Sequence, residues 1–283
     1  MDKQILKNDL IEIEYRTDTL RISGITLTGR SNLLVDLTDM PPVDTPYGEY
    51  RFLGGHRLWH APEAMPRTYI PDEAVQVTQL AGGLLLDTPT EPGTGIHKKI
   101  ELKLASDKAS LTLTHTLTNE GLWSVELAPW AITQFRQGGM VILPMPVGNA
   151  DPAGLLHNRQ LSIWPYTRMN DPRVKWGDEF IMFKADSLLP PFKIGYFNPH
   201  GWMAYWMDGV LFRKTFAAKK EVTHPDGNCN CEMYCNHQFV ELESLGALTT
   251  LLPGNSVTHV ETWDVFDGIE SLPEKAQALL AAE

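Results

Sequence analysis

Cysteine is scarce in this chain: three among 283 residues, all within seven positions, at Cys229, Cys231 and Cys235. An odd number so tightly grouped is not a disulfide framework, and reduced thiols are the simplest reading. Long apolar runs are missing as well. No window approaches the length of a membrane-crossing helix, and the opening MDKQILKNDLIEIEY holds no apolar stretch of signal-peptide length. A cytoplasmic location without a membrane partner is therefore expected if Met1 is the natural start. Basic residues are outnumbered, with 24 Lys and Arg against 35 Asp and Glu and a net charge of −11. An acidic surface repels nucleic acid, so none is expected as a partner. Helical periodicity is confined to Pro273–Ala282 (PEKAQALLAA), where Ser271 could cap, Glu274 follows three residues later and Pro273 suits the first turn. The phosphate-binding loop, dinucleotide fingerprint, nucleophile elbow and H-E-x-x-H motif are all absent, and no cofactor is expected.

What is present is alternation with period two. Residues 10–15 (LIEIEY), 100–104 (IELKL), 111–117 (LTLTHTL) and 239–243 (FVELE) each alternate apolar and polar side chains, the pattern of strands with one buried and one exposed face. Turn signals at Gly82-Gly83, Glu91-Pro92-Gly93, Gly138-Gly139 and Pro253-Gly254 separate the runs. Apolar residues make up 43% of the chain and charged residues 21%, enough for a folded core. With no repeat and no linker, residues 1–283 are expected to form a single all-β domain, a sandwich or barrel. Asp151 to Asp178, rich in Pro, Trp, Arg and Asn, reads as a long excursion, and such excursions are usually functional or mobile.

Three segments carry a family likeness: Leu111 to Thr133 (LTLTHTLTNEGLWSVELAPWAIT), Phe239 to Trp263 (FVELESLGALTTLLPGNSVTHVETW) and Arg51 to Glu63 (RFLGGHRLWHAPE), with a weaker echo in 192–216. In this order they resemble the galactose-mutarotase-like, or aldose-epimerase-like, superfamily across nearly the whole chain. The first looks like the central hairpin, the second like the C-terminal end, and the third sits where sugar-phosphate mutarotases carry a Gly-Gly segment leading into the pocket. The resemblance implies a large two-sheet β-sandwich with a concave sugar-binding face, to which the short C-terminal helix would be added, and a small carbohydrate as partner.

Aldose epimerisation needs a base for the anomeric hydroxyl proton and an acid for the ring oxygen. The resemblance places the base at Glu243, with Glu241 on the same strand face and Val240 and Leu242 in the core. Where the family keeps its acidic histidine, this chain has Trp130, a residue suited to stacking on a sugar or to filling a core, and Gln134 follows as a hydroxyl ligand. A substitute acid is expected at His56 or His60, beside Arg57, whose guanidinium suits a carboxylate or phosphate. In Asn228–His237 (NCNCEMYCNH) a strand would put Asn228, Asn230, Glu232, Tyr234 and Asn236 on one face, where Glu232 and Asn236 could meet sugar hydroxyls. The cysteines would share the other face as small core residues, and no metal site is expected because the spacing fits no usual zinc set. Three functions follow: a sugar epimerase, with Glu243 and His56 as its catalytic pair; a non-catalytic sugar-binding or sensing protein; and a saccharide lyase or hydrolase.

Overall fold

The computed structural model describes residues 3–187 and 190–272; the helix expected over Pro273–Ala282 lies outside them. Two antiparallel sheets of ten strands each account for most of the chain. The first runs, edge to edge, through Lys3–Lys7, Ile11–Arg16, Ile22–Leu27, His56–Ala61, Val125–Phe135, Val240–Leu245, Cys231–Cys235, Phe192–Tyr196 and Ser162–Ile163. Thr249–Leu251 pairs beside the start of Val125–Phe135. The second runs through Val174–Trp176, Phe180–Lys184, Met140–Pro144, Trp202–Met207, Val210–Phe216, Ser256–Phe266, Ser110–Asn119, Ile96–Leu104, Gly83–Asp87 and Gln76–Leu80. This is the large two-sheet β-sandwich expected. The excursion after Asp151 is not a bare loop: Ser162–Ile163 extends the first sheet and Val174–Trp176 the second.

Alternation explains the core. In Ser110–Asn119 every second residue is buried, and Leu111, Leu113 and Leu117 meet Ile11, Ile13, Phe135 and Leu242 of the other sheet in one apolar cluster. Three central strands of the first sheet behave differently. His56–Ala61 and Val240–Leu245 are buried at every position, and Val125–Phe135 from Leu127 onward. One face of each looks into the sandwich. The other lies beneath a second apolar cluster of Tyr50, Trp59, Ala61, Ala128, Trp130, Ile132 and Leu245, with Phe52, Tyr69 and Leu248 against it. The second cover frames the candidate site.

Between the sheets runs a polar belt. Lys214, wholly buried, approaches Glu261 Oε1 at 2.9 Å and donates to the carbonyls of Ala131 (3.2 Å) and Leu242 (3.1 Å). Trp263 Nε1 donates to Glu261 Oε2 at 2.9 Å, and Ser244 bonds both Glu261 and His259. One ammonium thus ties a second-sheet strand to two first-sheet strands. A buried charge persists only when paired and hydrogen-bonded, as these are.

Candidate functional site

A cavity of about 370 Å³ opens on the outer face of the first sheet. Strand register builds its floor. Arg57, Ile132, Glu243, Glu232 and Gly195 lie in one row across five strands, and Gln134, Glu241, Tyr234 and Lys193 in the next. Trp59, Trp130 and Leu245 form a third row. Phe52, Glu63, Tyr69 and Phe239 complete the lining, together with Trp164 and Tyr166 from the excursion.

Diagonal contacts between the rows pair the charges. Arg57 Nη2 donates to Glu241 Oε1 at 3.1 Å, Gln134 Nε2 donates to the same oxygen at 2.9 Å, and the guanidinium lies 4.2 Å from the Trp59 ring centre. Lys193 Nζ lies 2.8 Å from Glu232 and 2.9 Å from Glu243, between the rings of Trp130 (4.9 Å) and Trp164 (4.7 Å). Trp130 Nε1 donates to Glu243 Oε2 at 2.8 Å, while Glu243 Oε1 has no hydrogen-bond partner among the described residues. Gly195 makes the crowding possible: a Cβ there would stand 2.9 Å from both Glu232 Cγ and Cys229 Sγ.

Burial drives the titration of this floor. It lifts Glu241 from 4.5 to about 7; Arg57 opposes the lift and the neighbouring Glu243 adds to it. Glu232 is pushed well above the ordinary carboxylate range by burial, against the pull of Lys193 and with repulsion from Glu243 and Asp226. Burial would lower the Lys193 ammonium, but Glu232 and Glu243 override it and hold the lysine well above its ordinary value.

Of the residues singled out from the sequence, Arg57, Trp130, Asn236 and Glu241 line the cavity. Glu232, Glu243 and Gln134 share that sheet face but lie one layer down; Glu243 is wholly buried beneath Trp130 and Lys193. His56 and His60 are corrections. Their strand presents Arg57 and Trp59 to the cavity and turns His56, Leu58 and His60 the other way. His56 Nε2 meets His115 Nε2 at 2.8 Å and Nδ1 meets Thr133 Oγ1 at 2.9 Å inside the sandwich; His60 faces Glu91 at 3.3 Å. Burial, then His115 and Lys214, pushes the His56 imidazole well below its ordinary value. Ligand atoms of His56, His115 and Glu261 lie within 4.8 Å of one another. Lys214 already supplies the positive charge there, 2.9 Å from Glu261. Cys231, Met233 and Cys235 sit in the core, while Asn230 bonds Asn198 instead of facing the cavity. Lys193, Trp164, Tyr166 and Tyr69 are the residues that sequence reasoning missed. The signal for the first was a lone lysine inside the apolar strand Phe192–Tyr196.

No family model matches the chain, and no curated protein matches it. Solved structures do. A galactose mutarotase-like protein from Lactobacillus casei superposes with a TM-score of 0.63 at 9% identity, over 94% of this chain and 100% of that one. A galactose mutarotase related enzyme from Lactobacillus acidophilus gives 0.55 at 8% identity, over 96% and 100%. This chain has the galactose-mutarotase-like fold. A TPR-domain containing protein from Parabacteroides distasonis shares it too, with a TM-score of 0.64 at 13% identity over 96% of this chain and 49% of that one. At such identities the likeness extends to the fold alone, and the chemistry rests on the side chains present.

On this mutarotase-like scaffold the cavity offers flat indole and phenol faces above a floor of paired charges. Glu241 is poised to gain or lose a proton near neutral pH, and Lys193 is a fixed ammonium donor. A second cavity, of about 410 Å³ beside residues 146–160, is lined by Arg159, His157, His200 and Lys220, without a carboxylate pair.

Proposed function

We propose that the aromatic cavity binds a carbohydrate of monosaccharide size and epimerises it at the anomeric carbon. The observation that carries this reading is the Glu241–Arg57 and Lys193–Glu243 floor beneath Trp59, Trp130 and Trp164. Aromatic rings take the apolar faces of a sugar, and amide and charged groups take its hydroxyls. Glu241 takes the anomeric hydroxyl proton as C1=O forms and the C1–O5 bond breaks, and the Lys193 ammonium delivers a proton to the departing ring oxygen. After rotation about C1–C2 the O5 hydroxyl returns its proton to Lys193 as it attacks the opposite face of C1, and Glu241 returns its proton to the carbonyl oxygen. Arg57 and Gln134 position Glu241; Glu243 and Glu232 position Lys193. Glu241 and Glu243 stand side by side on one strand and do not flank a scissile bond, which disfavours a lyase or hydrolase.

Binding without turnover is the second reading, favoured by Trp130 at the place of the resembled family's acid. One experiment separates them. Freshly dissolved α-glucose and α-galactose are followed by polarimetry while tryptophan fluorescence reports binding. Protein-dependent relaxation that rises with an inflection near pH 7 and disappears in Glu241→Gln is expected. A fluorescence response without relaxation leaves the binding reading alone, and no response to any sugar refutes both.

A further inference from the structure

We propose that the sugar filling this cavity carries a protonated amino group, an inference that rests on the carbohydrate reading above. The charge inventory motivates it. The cavity and the layer beneath it hold two cations, Arg57 and Lys193, and four glutamates, Glu63, Glu232, Glu241 and Glu243. Each cation is already paired with carboxylate. Arg57 gives Nη2 to Glu241 and lies on the face of Trp59, its Nε being without a hydrogen-bond partner among the described residues, and Lys193 is clamped between two carboxylates and two indoles. A phosphate or carboxylate on the sugar would have to displace a buried carboxylate before it met positive charge. An ammonium meets the opposite situation. Glu241 is reachable from the cavity, Glu63 stands at the rim, and the wholly buried Glu243 keeps one oxygen without a donor. The walls suit a cation as well, since the Trp59, Trp130 and Trp164 rings already lie against a guanidinium or an ammonium at 4.2 to 4.9 Å. The elevated proton affinities of Glu241 and Glu232 agree: protons occupy the place of cations that the site lacks.

The test is isothermal titration at pH 7 with glucosamine and galactosamine, their N-acetylated forms, the parent sugars and the corresponding 6-phosphates. An ammonium in a partly buried site that holds more carboxylates than cations is expected to bind about ten- to a hundredfold tighter than its N-acetylated counterpart. That gap should narrow in high salt and in Glu241→Gln, where an unchanged near-ultraviolet circular dichroism spectrum is the control for an intact cavity. The same variant releases Arg57 and should raise affinity for the 6-phosphates. Parent sugars binding as tightly as amino sugars, or 6-phosphates binding tighter in the unaltered protein, overturns the inference and leaves the carbohydrate reading standing. If no member of the set binds, that reading falls and the inference with it.

Discussion

Replacing Glu241 by glutamine should change how the stability of this protein depends on pH. In the folded chain the carboxyl is raised from 4.5 to about 7, first by burial and then by repulsion from Glu243, against the attraction of Arg57. At about 1.4 kcal/mol per pH unit, that lift corresponds to about 3 kcal/mol. The sign follows from where the proton binds tighter. Below pH 4.5 the group is protonated in both states and costs nothing. Between 4.5 and about 7 the folded state holds a proton that the unfolded chain has released, so stability falls as pH rises and levels off above about 7. Glutamine, of the same shape and permanently neutral, removes that slope. Urea unfolding at half-unit steps from pH 5 to 8.5 should show Glu241→Gln gaining up to about 3 kcal/mol relative to the unaltered protein across this range. Parallel curves for the two proteins would mean that Glu241 does not titrate near neutrality, and its role as the proton acceptor would go with it.

The belt between the sheets gives a second expectation. Lys214→Met leaves Glu261 buried without its ammonium, which should cost about 3–5 kcal/mol and lower the melting temperature by about 6–20 °C. Adding Glu261→Leu should recover most of the loss, and a thermal scan in which the double variant melts no higher than the single one contradicts the pairing. At the floor of the cavity, Gly195→Ala forces a Cβ to within 2.9 Å of Glu232 and Cys229. The expected cost is about 1–3 kcal/mol, with weaker sugar binding as Glu232 shifts against Lys193; unchanged melting and affinity would show that the close fit is not needed.

Alternation exposed the all-β character because exposed strand faces must be polar. It also placed Glu241 and Glu243 on one face of Val240–Leu245, with Val240 and Leu242 opposite. The method stopped working where both faces are covered. His56–Ala61 is buried throughout, so nothing in HRLWHA marks which side meets the cavity. Gly54 and Gly55, at φ of 76° and 69°, set the entry of that strand, and they turn Arg57 outward and His56 toward His115. Lys193 was hidden for another reason: an isolated lysine in an apolar strand gains meaning only when Glu232 and Glu243 arrive from positions 39 and 50 residues further along the chain. Trp164 and Tyr166 belong to a segment whose lack of periodicity conceals its docking against the first sheet.

The strand order also constrains how the molecule can be made. Val240–Leu245 lies in the middle of the first sheet, between Val125–Phe135 and Cys231–Cys235, and Ser256–Phe266 lies in the middle of the second, between Val210–Phe216 and Ser110–Asn119. Both sheets therefore receive a central strand from the last fifth of the described chain. During synthesis from the N-terminus, Val125–Phe135 and Ser110–Asn119 must wait with one edge unpaired while more than a hundred further residues emerge. Unpaired edges recruit other chains, and such distant pairing closes slowly. The nascent protein is thus most exposed to aggregation just before its final strands are delivered, and the sugar cavity, floored by Glu241, cannot exist until they are.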